Sequence, residues 1–245
     1  MIRLILVVLT AVLYLGITTP FLWLSEKLGK AGTRESQLKI LKDVKGIFRV
    51  ICKLSGVTYE VQGLEHIPEN EAVLYVGNHR SYFDILLTYS RCKRLTGYVA
   101  KKEMEKIPLL STWMKYLYCL FLDRHDPKQG MKTILTAIDY IKRGISICIF
   151  PEGTRNSGEE LSLLPFKEGS FKIAEKTGCA IVPISLNNTA EMFEAHFPKI
   201  KKTHVVIEYG APVYPKDLDK ETRKHLAPYF EQIIKETIQK NVEIV

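Results

Sequence analysis

The sequence has few residues of the types that build disulfide scaffolds or metal centres. Its 245 residues include five cysteines and six histidines. The cysteines are widely spaced without a CxxC pair, and the histidines form no HExxH pattern, so the usual spacings of metal ligands are absent. We therefore expect no metal ion, no disulfide framework, and buried reduced thiols of the kind found in a cytosolic compartment.

Other features that would specify a function are also missing. The sequence has no internal repeats, no low-complexity tracts and no GxSxG elbow, so a serine nucleophile is disfavoured, although Ser81 lies near His79. Hydrophobic residues make up 46% and charged residues 25% of the chain. This ordinary composition excludes disorder throughout and collagen, and the length fits one compact domain with an appendage.

Charge is the unusual feature of the composition. Lysine and arginine number 35 against 27 acidic residues, which gives a net charge of +8. A basic chain is suited to binding a polyanion, such as a nucleic acid, an anionic membrane or a phosphorylated substrate. The sequence carries no nucleic-acid recognition motif, so we expect anionic lipids or a phosphorylated substrate as partners and no nucleic acid.

The N-terminal segment is far more apolar than the rest of the chain. Residues 4–24 are 21 residues without a charge, which as a helix measure roughly 31 Å, close to one hydrocarbon thickness. Lys27, Lys30 and Arg34 follow, so the positive-inside rule places the rest of the chain in the cytoplasm. We predict a membrane anchor, in which Pro20 disfavours an unbroken helix. A cleaved signal peptide and a buried core helix are the alternatives, and spanning and single-leaflet insertion both stay open.

A basic amphipathic helix is predicted next, over residues 33–54. It either binds a membrane surface or packs on the following domain with its basic face in solvent, and the two can hold together. We accordingly divide the chain into N-terminal membrane-binding helices, residues 1–54, and a second domain, residues 55–245. The apolar positions at helical spacing are Leu41, Val44, Phe48 and Ile51, and the basic positions are Lys39, Lys42, Lys45, Arg49 and Lys53.

Strand-like and helix-like patterns alternate through the second domain. This alternation predicts an α/β fold, a mixed and mostly parallel sheet flanked by helices, with the chemistry in the loops that follow the strands. A final helix is predicted over residues 220–240. The predicted strands are 57–61, 72–76, 95–100, 118–122, 145–150, 180–186 and 204–209, and the other predicted helices are 84–92, 109–117, 130–142 and 170–176.

The first polar cluster follows the predicted strand at residues 72–76. His79 and Asp84 lie five residues apart across a strand-to-helix turn. That spacing lets the carboxylate bond one imidazole nitrogen and leaves the other nitrogen to take a proton from a substrate hydroxyl. The structural alternative is a helix cap beside an ordinary polar histidine. Asn78, next to this pair, has two open roles, in the turn or in an oxyanion contact.

Further polar clusters lie at the ends of other predicted strands. Residues 151–155 read Pro-Glu-Gly-Thr-Arg, where glycine allows close approach of a ligand and Arg155 offers a planar fork that matches phosphate oxygens. An ordinary turn with a surface ion pair is the alternative. Arg124 follows the end of the predicted strand at residues 118–122. It is either a second phosphate ligand or the partner of Asp123. Lys101 follows another strand, and Lys167 precedes Gly169.

Taken together, these clusters resemble those of the glycerolipid acyltransferase family, and within it the 1-acylglycerol-3-phosphate acyltransferases. The blocks NHxxxxD, FxDR, FPEGTR, FKxG and IVPIS occur in that order over residues 78–185. The apolar and basic two-helix entry extends the resemblance over nearly the whole chain. It implies the acyltransferase fold with an N-terminal two-helix membrane-binding motif, and residues 55–245 as the catalytic domain.

The resemblance also implies a role for each matching residue. His79 would be the general base for the sn-2 hydroxyl of lysophosphatidate, and Asp84 would orient it. The alcohol would attack the thioester of acyl-CoA or acyl-carrier protein directly, with no acyl-enzyme and no cofactor. The predicted substrate-binding residues are Lys101, Arg124, Glu152, Gly153, Thr154, Arg155 and Lys167.

The predicted activity is thus the acylation of lysophosphatidate to phosphatidate at the cell membrane, with the catalytic domain on the cytoplasmic side. A related acyltransferase would act on glycerol-3-phosphate, another lysophospholipid or a lipid amine through the same blocks. A non-catalytic lipid-binding protein is a different class, which the intact pair of His79 and Asp84 disfavours.

Overall fold

A seven-stranded sheet forms the centre of the computed structural model, which describes residues 1–28 and 32–245. Lys30 of the basic flank lies outside the described residues. The strand order across the sheet is β1-β7-β6-β2-β5-β3-β4. The strands are β1 (Thr58–Gln62), β2 (Leu74–Gly77), β3 (Thr96–Lys101), β4 (Leu120–Leu122), β5 (Ser146–Ile149), β6 (Ile181–Asn187) and β7 (His204–Tyr209).

The strands run in two directions, which confirms the predicted mixed, mostly parallel sheet. The neighbours β6, β2, β5, β3 and β4 are all parallel to one another. Strand β7 pairs antiparallel with β6, and β1 lies parallel to β7 at the edge. Because the carboxyl ends of parallel strands meet at one edge, the loops after β2, β5, β3 and β4 lie side by side.

Helices cover both faces of the sheet. Their bounds are α1 (Ile2–Lys27), α2 (Arg34–Ser55), α3 (Phe83–Tyr89), α4 (Leu110–Tyr116), α5 (Pro127–Lys142), α6 (Lys172–Thr177), α7 (Lys220–Lys224) and α8 (Leu226–Asn241). Successive residues of β2, with Val73 just before it, point to opposite faces of the sheet. Val73 and Tyr75 pack in the core with α2 and α3, whereas Leu74 and Val76 pack with α5, α6 and α8.

The prediction of a single helix over residues 220–240 is wrong, because the structure has two helices there, α7 and α8, which are separated at His225. Pro228 is the third residue of α8. A proline ring conflicts with the carbonyl four residues earlier, here that of Lys224, and its nitrogen has no proton to donate. Proline is therefore accommodated in the first turn of a new helix and not in the middle of an old one.

The apolar helix α1 runs without interruption through Pro20 over 26 residues. One face, with Val7, Leu15 and Leu22, packs on the core, but only 6% of its most apolar window is buried. This low burial argues against the core-helix alternative. By length and composition α1 is long and apolar enough to cross a membrane, which supports an association of the chain with one.

The amphipathic helix α2 packs on the domain. Thr33 caps its first turn by accepting the backbone N–H of Ser36, and Leu41, Val44 and Ile51 join the core of the sheet. Two residues of the predicted basic face also contact the domain. Lys45 Nζ donates to the Cys92 carbonyl at 2.5 Å, and an Arg49 N–H donates to the Ser90 carbonyl at 3.3 Å. The exposed basic residues of α2 include Lys39, Lys42, Arg49 and Lys53.

Candidate active site

The site begins where β2 ends and the chain turns into α3. Asn78, fully buried, holds this turn against β6. Its amide nitrogen donates to the Leu186 carbonyl and its amide oxygen accepts the Leu186 N–H, both at 2.9 Å. Both polar atoms of the amide are therefore engaged with backbone, which favours the role of Asn78 in the turn over an oxyanion contact.

His79 and Asp84 form a hydrogen-bonded pair. His79 Nδ1 lies 2.8 Å from Asp84 Oδ2, and the Asp84 side chain is fully buried. The same oxygen accepts the backbone N–H groups of Arg80 and Ser81, each at 2.8 Å. With a carboxylate as acceptor, Nδ1 carries the proton and Nε2 is the basic nitrogen. His79 is 15% exposed, so the pair combines a fixed orientation with access to a ligand.

Ser81 is part of the helix start. Its buried side-chain oxygen accepts the N–H of Phe83, the first residue of α3. A hydroxyl in this position acts as a cap for orphan helix donors. This contact agrees with the expectation that Ser81 is not a nucleophile.

Residues after β5 support His79 from the other side. The Phe150 ring stacks on the imidazole with centroids 4.3 Å apart. Glu152 accepts the backbone N–H of His79 on Oε1 at 2.7 Å and that of Leu164 on Oε2 at 3.0 Å. Burial raises the pKa of Glu152. Glu152 therefore ties the base to the loop that follows β5, with its two carboxylate oxygens bonded to backbone.

Lys167 is brought beside the predicted phosphate loop. Its backbone N–H donates to the Pro151 carbonyl at 3.1 Å. Gly153 has a φ of 76°, and a Cβ added there would lie 2.8 Å from Lys167 Nζ. A side chain at Gly153 would thus be strained and would displace the ammonium group. The exposed Thr154 follows Gly153 at the surface of the loop.

Arg155 is held by two residues that the sequence analysis did not identify. Its NH1 atom lies 3.0 Å from Glu194 Oε1, and its guanidinium carbon lies 3.5 Å from the centroid of the Tyr82 ring. Glu194 is 39 residues further along the chain and outside the sequence blocks. Tyr82 lies between His79 and Asp84, but nothing in that spacing indicates a contact with Arg155.

The remaining predicted residues lie further along the same edge of the sheet. Lys101 ends β3 and is paired in register with Leu122 of β4, and the exposed Arg124 follows two residues later. Neighbouring strands are about 4.8 Å apart, which places β3 roughly 10 Å and β4 roughly 14 Å from β2. Lys101 Nζ lies 3.5 Å from Glu103 Oε1. The contacts described above therefore connect Glu152, Gly153, Arg155 and Lys167 to the region of His79. Lys101 and Arg124 lie further along the same edge of the sheet.

Arg80 is a third residue that the sequence analysis missed. Its buried side chain donates to the carbonyls of Gly158 and Glu159 at 2.7 and 2.8 Å, and its Nε lies 3.2 Å from Glu160 Oε2. It ties the segment after Arg155 to the turn that carries His79. Only its position inside the first block hints at this role.

The donor set of the site is suited to acid–base chemistry and phosphate binding. Within residues 1–28 and 32–245, no group of three or more His, Cys, Asp or Glu side chains is arranged to hold a metal ion. The five cysteines are free thiols, four of them buried. The arrangement offers a histidine base oriented by a carboxylate, beside guanidinium and ammonium groups.

Comparisons with known proteins agree with this geometry. A family model described as Acyltransferase matches residues 58–187. The chain is 32% identical over 195 residues to a 1-acyl-sn-glycerol-3-phosphate acyltransferase of Salmonella typhimurium, and the alignment covers 78% of each chain. The crystal structure of the 1-acyl-sn-glycerophosphate acyltransferase PlsC from Thermotoga maritima superposes with a TM-score of 0.83 at 26% identity, covering 98% of this chain and 94% of that one.

Two plant relatives are much longer than the aligned region. The chain is 34% identical over 134 residues to the chloroplastic 1-acyl-sn-glycerol-3-phosphate acyltransferase BAT2 of Brassica napus. That alignment covers 54% of this chain and 38% of the relative, and the corresponding Arabidopsis thaliana protein is covered over 36% of its length. The chain thus spans little more than a third of these two relatives.

Proposed function

The chain belongs to the acyltransferase family, and from that premise we propose that it is a 1-acyl-sn-glycerol-3-phosphate O-acyltransferase. It transfers an acyl group from acyl-CoA or acyl-carrier protein to the sn-2 hydroxyl of lysophosphatidate and yields phosphatidate. The observation that carries the proposal is the 2.8 Å contact of His79 Nδ1 with the buried Asp84, because it leaves Nε2 as a base beside cationic side chains.

The reaction needs a base and a fixed geometry. His79 Nε2 takes the proton of the sn-2 hydroxyl while the oxygen of that hydroxyl attacks the thioester carbonyl. The new ester C–O bond forms, the C–S bond breaks, and the proton on His79 passes to the departing thiolate. Asp84 stabilises the transient imidazolium, as a carboxylate does in other histidine-based sites. Because a thioester is already activated, positioning and charge stabilisation suffice without a metal or cofactor.

The phosphate of the acceptor binds at the loop after β5. A phosphomonoester carries about two negative charges and favours several charged donors, with a guanidinium able to bond two oxygens at once. Arg155 and Lys167 are the cations joined to the His79 region through contacts with Tyr82 and Gly153. Lys101 and Arg124, further along the edge, add positive charge that attracts the dianion.

The membrane is contacted by α1 lying along the domain. Trp113 Nε1 donates to Thr19 Oγ1 at 3.0 Å near one end of the helix. At the other end, a Cβ added to Gly56 would lie 3.2 Å from Arg3 Nε and 3.0 Å from Lys202 Cγ, so these residues adjoin. A helix that crossed the bilayer would carry Arg3 away from the domain. The contacts therefore support insertion into one leaflet by the exposed face of α1.

The proposed location is the cytoplasmic face of the cell membrane. The free thiols suit a reducing compartment, and basic residues such as Lys42 and Lys53 are exposed on α2 for anionic lipid head groups. Both acyl chains of the product reside in the bilayer, which accounts for an apolar anchor on a catalytic domain.

A single assay tests the function. Purified full-length protein in mixed micelles receives lysophosphatidate with acyl-CoA or with acyl-carrier protein, and phosphatidate is measured. Glycerol-3-phosphate, other lysophospholipids and a lipid amine serve as competing acceptors, and His79→Ala serves as the inactive control. Product from lysophosphatidate in preference to the other acceptors is expected. Absence of phosphatidate with both donors would overturn the proposal, and a preference for another acceptor would reassign the substrate.

A further inference from the structure

Glu194 joins the cation of the phosphate loop to the turn that carries the base. Its Oε1 atom accepts the backbone N–H of Tyr82 at 2.8 Å and lies 3.0 Å from Arg155 NH1. Tyr82 immediately precedes α3, whose second residue is Asp84. One carboxylate oxygen thus fixes Arg155 relative to the His79–Asp84 pair.

The position of Glu194 makes this link unexpected. It lies in a short 3-10 helix, Glu194–His196, beyond the end of the family match at residue 187. Its side chain is 22% exposed, and that of Arg155 is 33% exposed. The ion pair is therefore partly withdrawn from water, where charged hydrogen bonds are stronger than on an open surface.

The orientation of Arg155 leaves donors free for a ligand. A guanidinium has five N–H groups in a planar fork. The Tyr82 ring covers one face of the plane, at 3.5 Å, and Glu194 is 3.0 Å from NH1. Since both contacts restrict the rotamers of a long side chain, the entropy lost when Arg155 binds an anion is reduced.

We propose that Glu194 is a positioning residue, which acts through Arg155 to hold the acceptor phosphate at a fixed distance from His79. The inference rests on the proposed function, since it assigns the phosphate of lysophosphatidate to Arg155. Glu194 does not touch the reacting atoms. Its negative charge orients the guanidinium, and Tyr82 supplies the surface on which the guanidinium stacks.

Steady-state kinetics on five variants of the full chain test the role. Glu194→Ala raises KM for lysophosphatidate about tenfold, the loss of one charged hydrogen bond, and leaves kcat within about twofold. Glu194→Gln keeps a side-chain oxygen for both N–H donors and recovers most of the affinity. In the Arg155→Ala background, adding Glu194→Ala changes KM no further. Glu191→Ala, which removes an ion pair with His196 in the same segment, is the matched control and leaves KM unchanged.

Equilibrium binding separates this inference from the proposed function. Calorimetric titration of the same proteins with glycerol 3-phosphate needs no turnover, and Glu194→Ala weakens binding about tenfold only when Arg155 is present. A wild-type protein that makes no phosphatidate yet shows this coupling would overturn the function and keep the role of Glu194. A Glu194→Ala variant with unchanged or tighter binding, or with the same loss in the Arg155→Ala background, would overturn the role.

Discussion

His79 donates a 2.8 Å hydrogen bond through Nδ1 to the carboxylate of Asp84, and the acceptor oxygen also accepts two backbone N–H groups in the turn before α3. The carboxylate therefore orients the imidazole and holds this turn with one atom. Of the two interpretations of the His-x4-Asp spacing, the geometry favours a base with its partner over a helix cap, because the N-cap residue of α3 is Tyr82 and has no side-chain cap bond. It follows that the orientation of the base depends on the local fold of the turn.

Replacement of His79 by alanine removes the proposed base. We expect turnover to fall by at least about a hundredfold, because a positioned general base contributes that much or more. The measurement is phosphatidate formation at saturating substrate, with vesicle co-sedimentation as the control for membrane binding, which stays unchanged. Asp84→Asn keeps the shape of the partner but not its charge, and its kcat is also expected to fall by about a hundredfold or more. Retained activity in His79→Ala would remove His79 from its role.

Arg155→Ala tests the phosphate contact separately from the chemistry. Loss of a charged hydrogen bond to the acceptor raises KM for lysophosphatidate about tenfold or more. The KM for the acyl donor stays near the wild-type value, since Arg155 is assigned to the other substrate. Lys172→Ala is a suitable control, because Lys172 pairs with Glu175 on α6. Equal KM values for the acceptor in Arg155→Ala and wild type would show that this arginine is not a ligand.

Much of the fold could be predicted because its signals are local. The apolar runs at residues 72–76 and 145–150 and the helical spacing within residues 33–54 correspond to β2, β5 and α2. Ends set by local chemistry were also accessible, such as the Thr33 cap. The break at His225 was missed because Pro228 lies inside an otherwise periodic pattern. The hydrogen bonds of Lys45 and Arg49 depend on carbonyls of the connection between α3 and β3, which is distant in sequence.

The candidate site divides in the same way. The His79–Asp84 pair is a contact across five residues, within reach of a spacing argument. Arg80 contacts residues 158–160, and Arg155 contacts Glu194, so each depends on the path of a loop that sequence periodicity does not specify. Glu152 was predicted among the substrate-binding residues from the resemblance alone. Its bonds to two backbone N–H groups required the structure.

Arg80→Ala is expected to destabilise the fold by about 2–4 kcal/mol, because it leaves two carbonyls and the Glu160 carboxylate without their partner. The Arg80 side chain is 7% exposed, so water replaces those contacts poorly. Arg80→Lys keeps the charge but not the planar fork and should lie between wild type and Arg80→Ala. Thermal unfolding in detergent measures the effect. An unchanged melting temperature in Arg80→Ala would contradict the proposed tie between the two loops.

Comparison of the wild type with Glu152→Gln tests the pKa of Glu152, the residue that supports His79. Burial raises the pKa of Glu152 above its ordinary 4.5. The folded protein therefore holds the proton of Glu152 more tightly than the unfolded chain does. The contribution of the protonated side chain to the free energy of unfolding is thus present at low pH and is lost as pH rises through the raised pKa. The neutral glutamine cannot titrate. Relative to Glu152→Gln, the wild type should lose melting temperature between pH 4.5 and neutrality, and a constant or widening advantage would contradict the shift.

The exposed face of α1 is expected to provide the apolar part of membrane binding. Deletion of residues 1–54 is an unsuitable test, because Leu41, Val44 and Ile51 of α2 lie in the core. Substitution on the surface of α1 avoids that defect. Val8 and Val12 are 50% and 59% exposed, so burying the exposed part of each in lipid stabilises the bound state by roughly 0.8–1.5 kcal/mol.

Changing Val8 and Val12 to serine should therefore weaken binding to vesicles of phosphatidylglycerol and phosphatidylcholine by about tenfold or more. The melting temperature in detergent should stay the same, since neither side chain is buried in the protein. Leu22→Ser is the matched control on the inner face of the same helix, where Leu22 is 5% exposed. It should lower the melting temperature and affect vesicle binding less. Undiminished binding of the double variant would assign membrane contact to another surface.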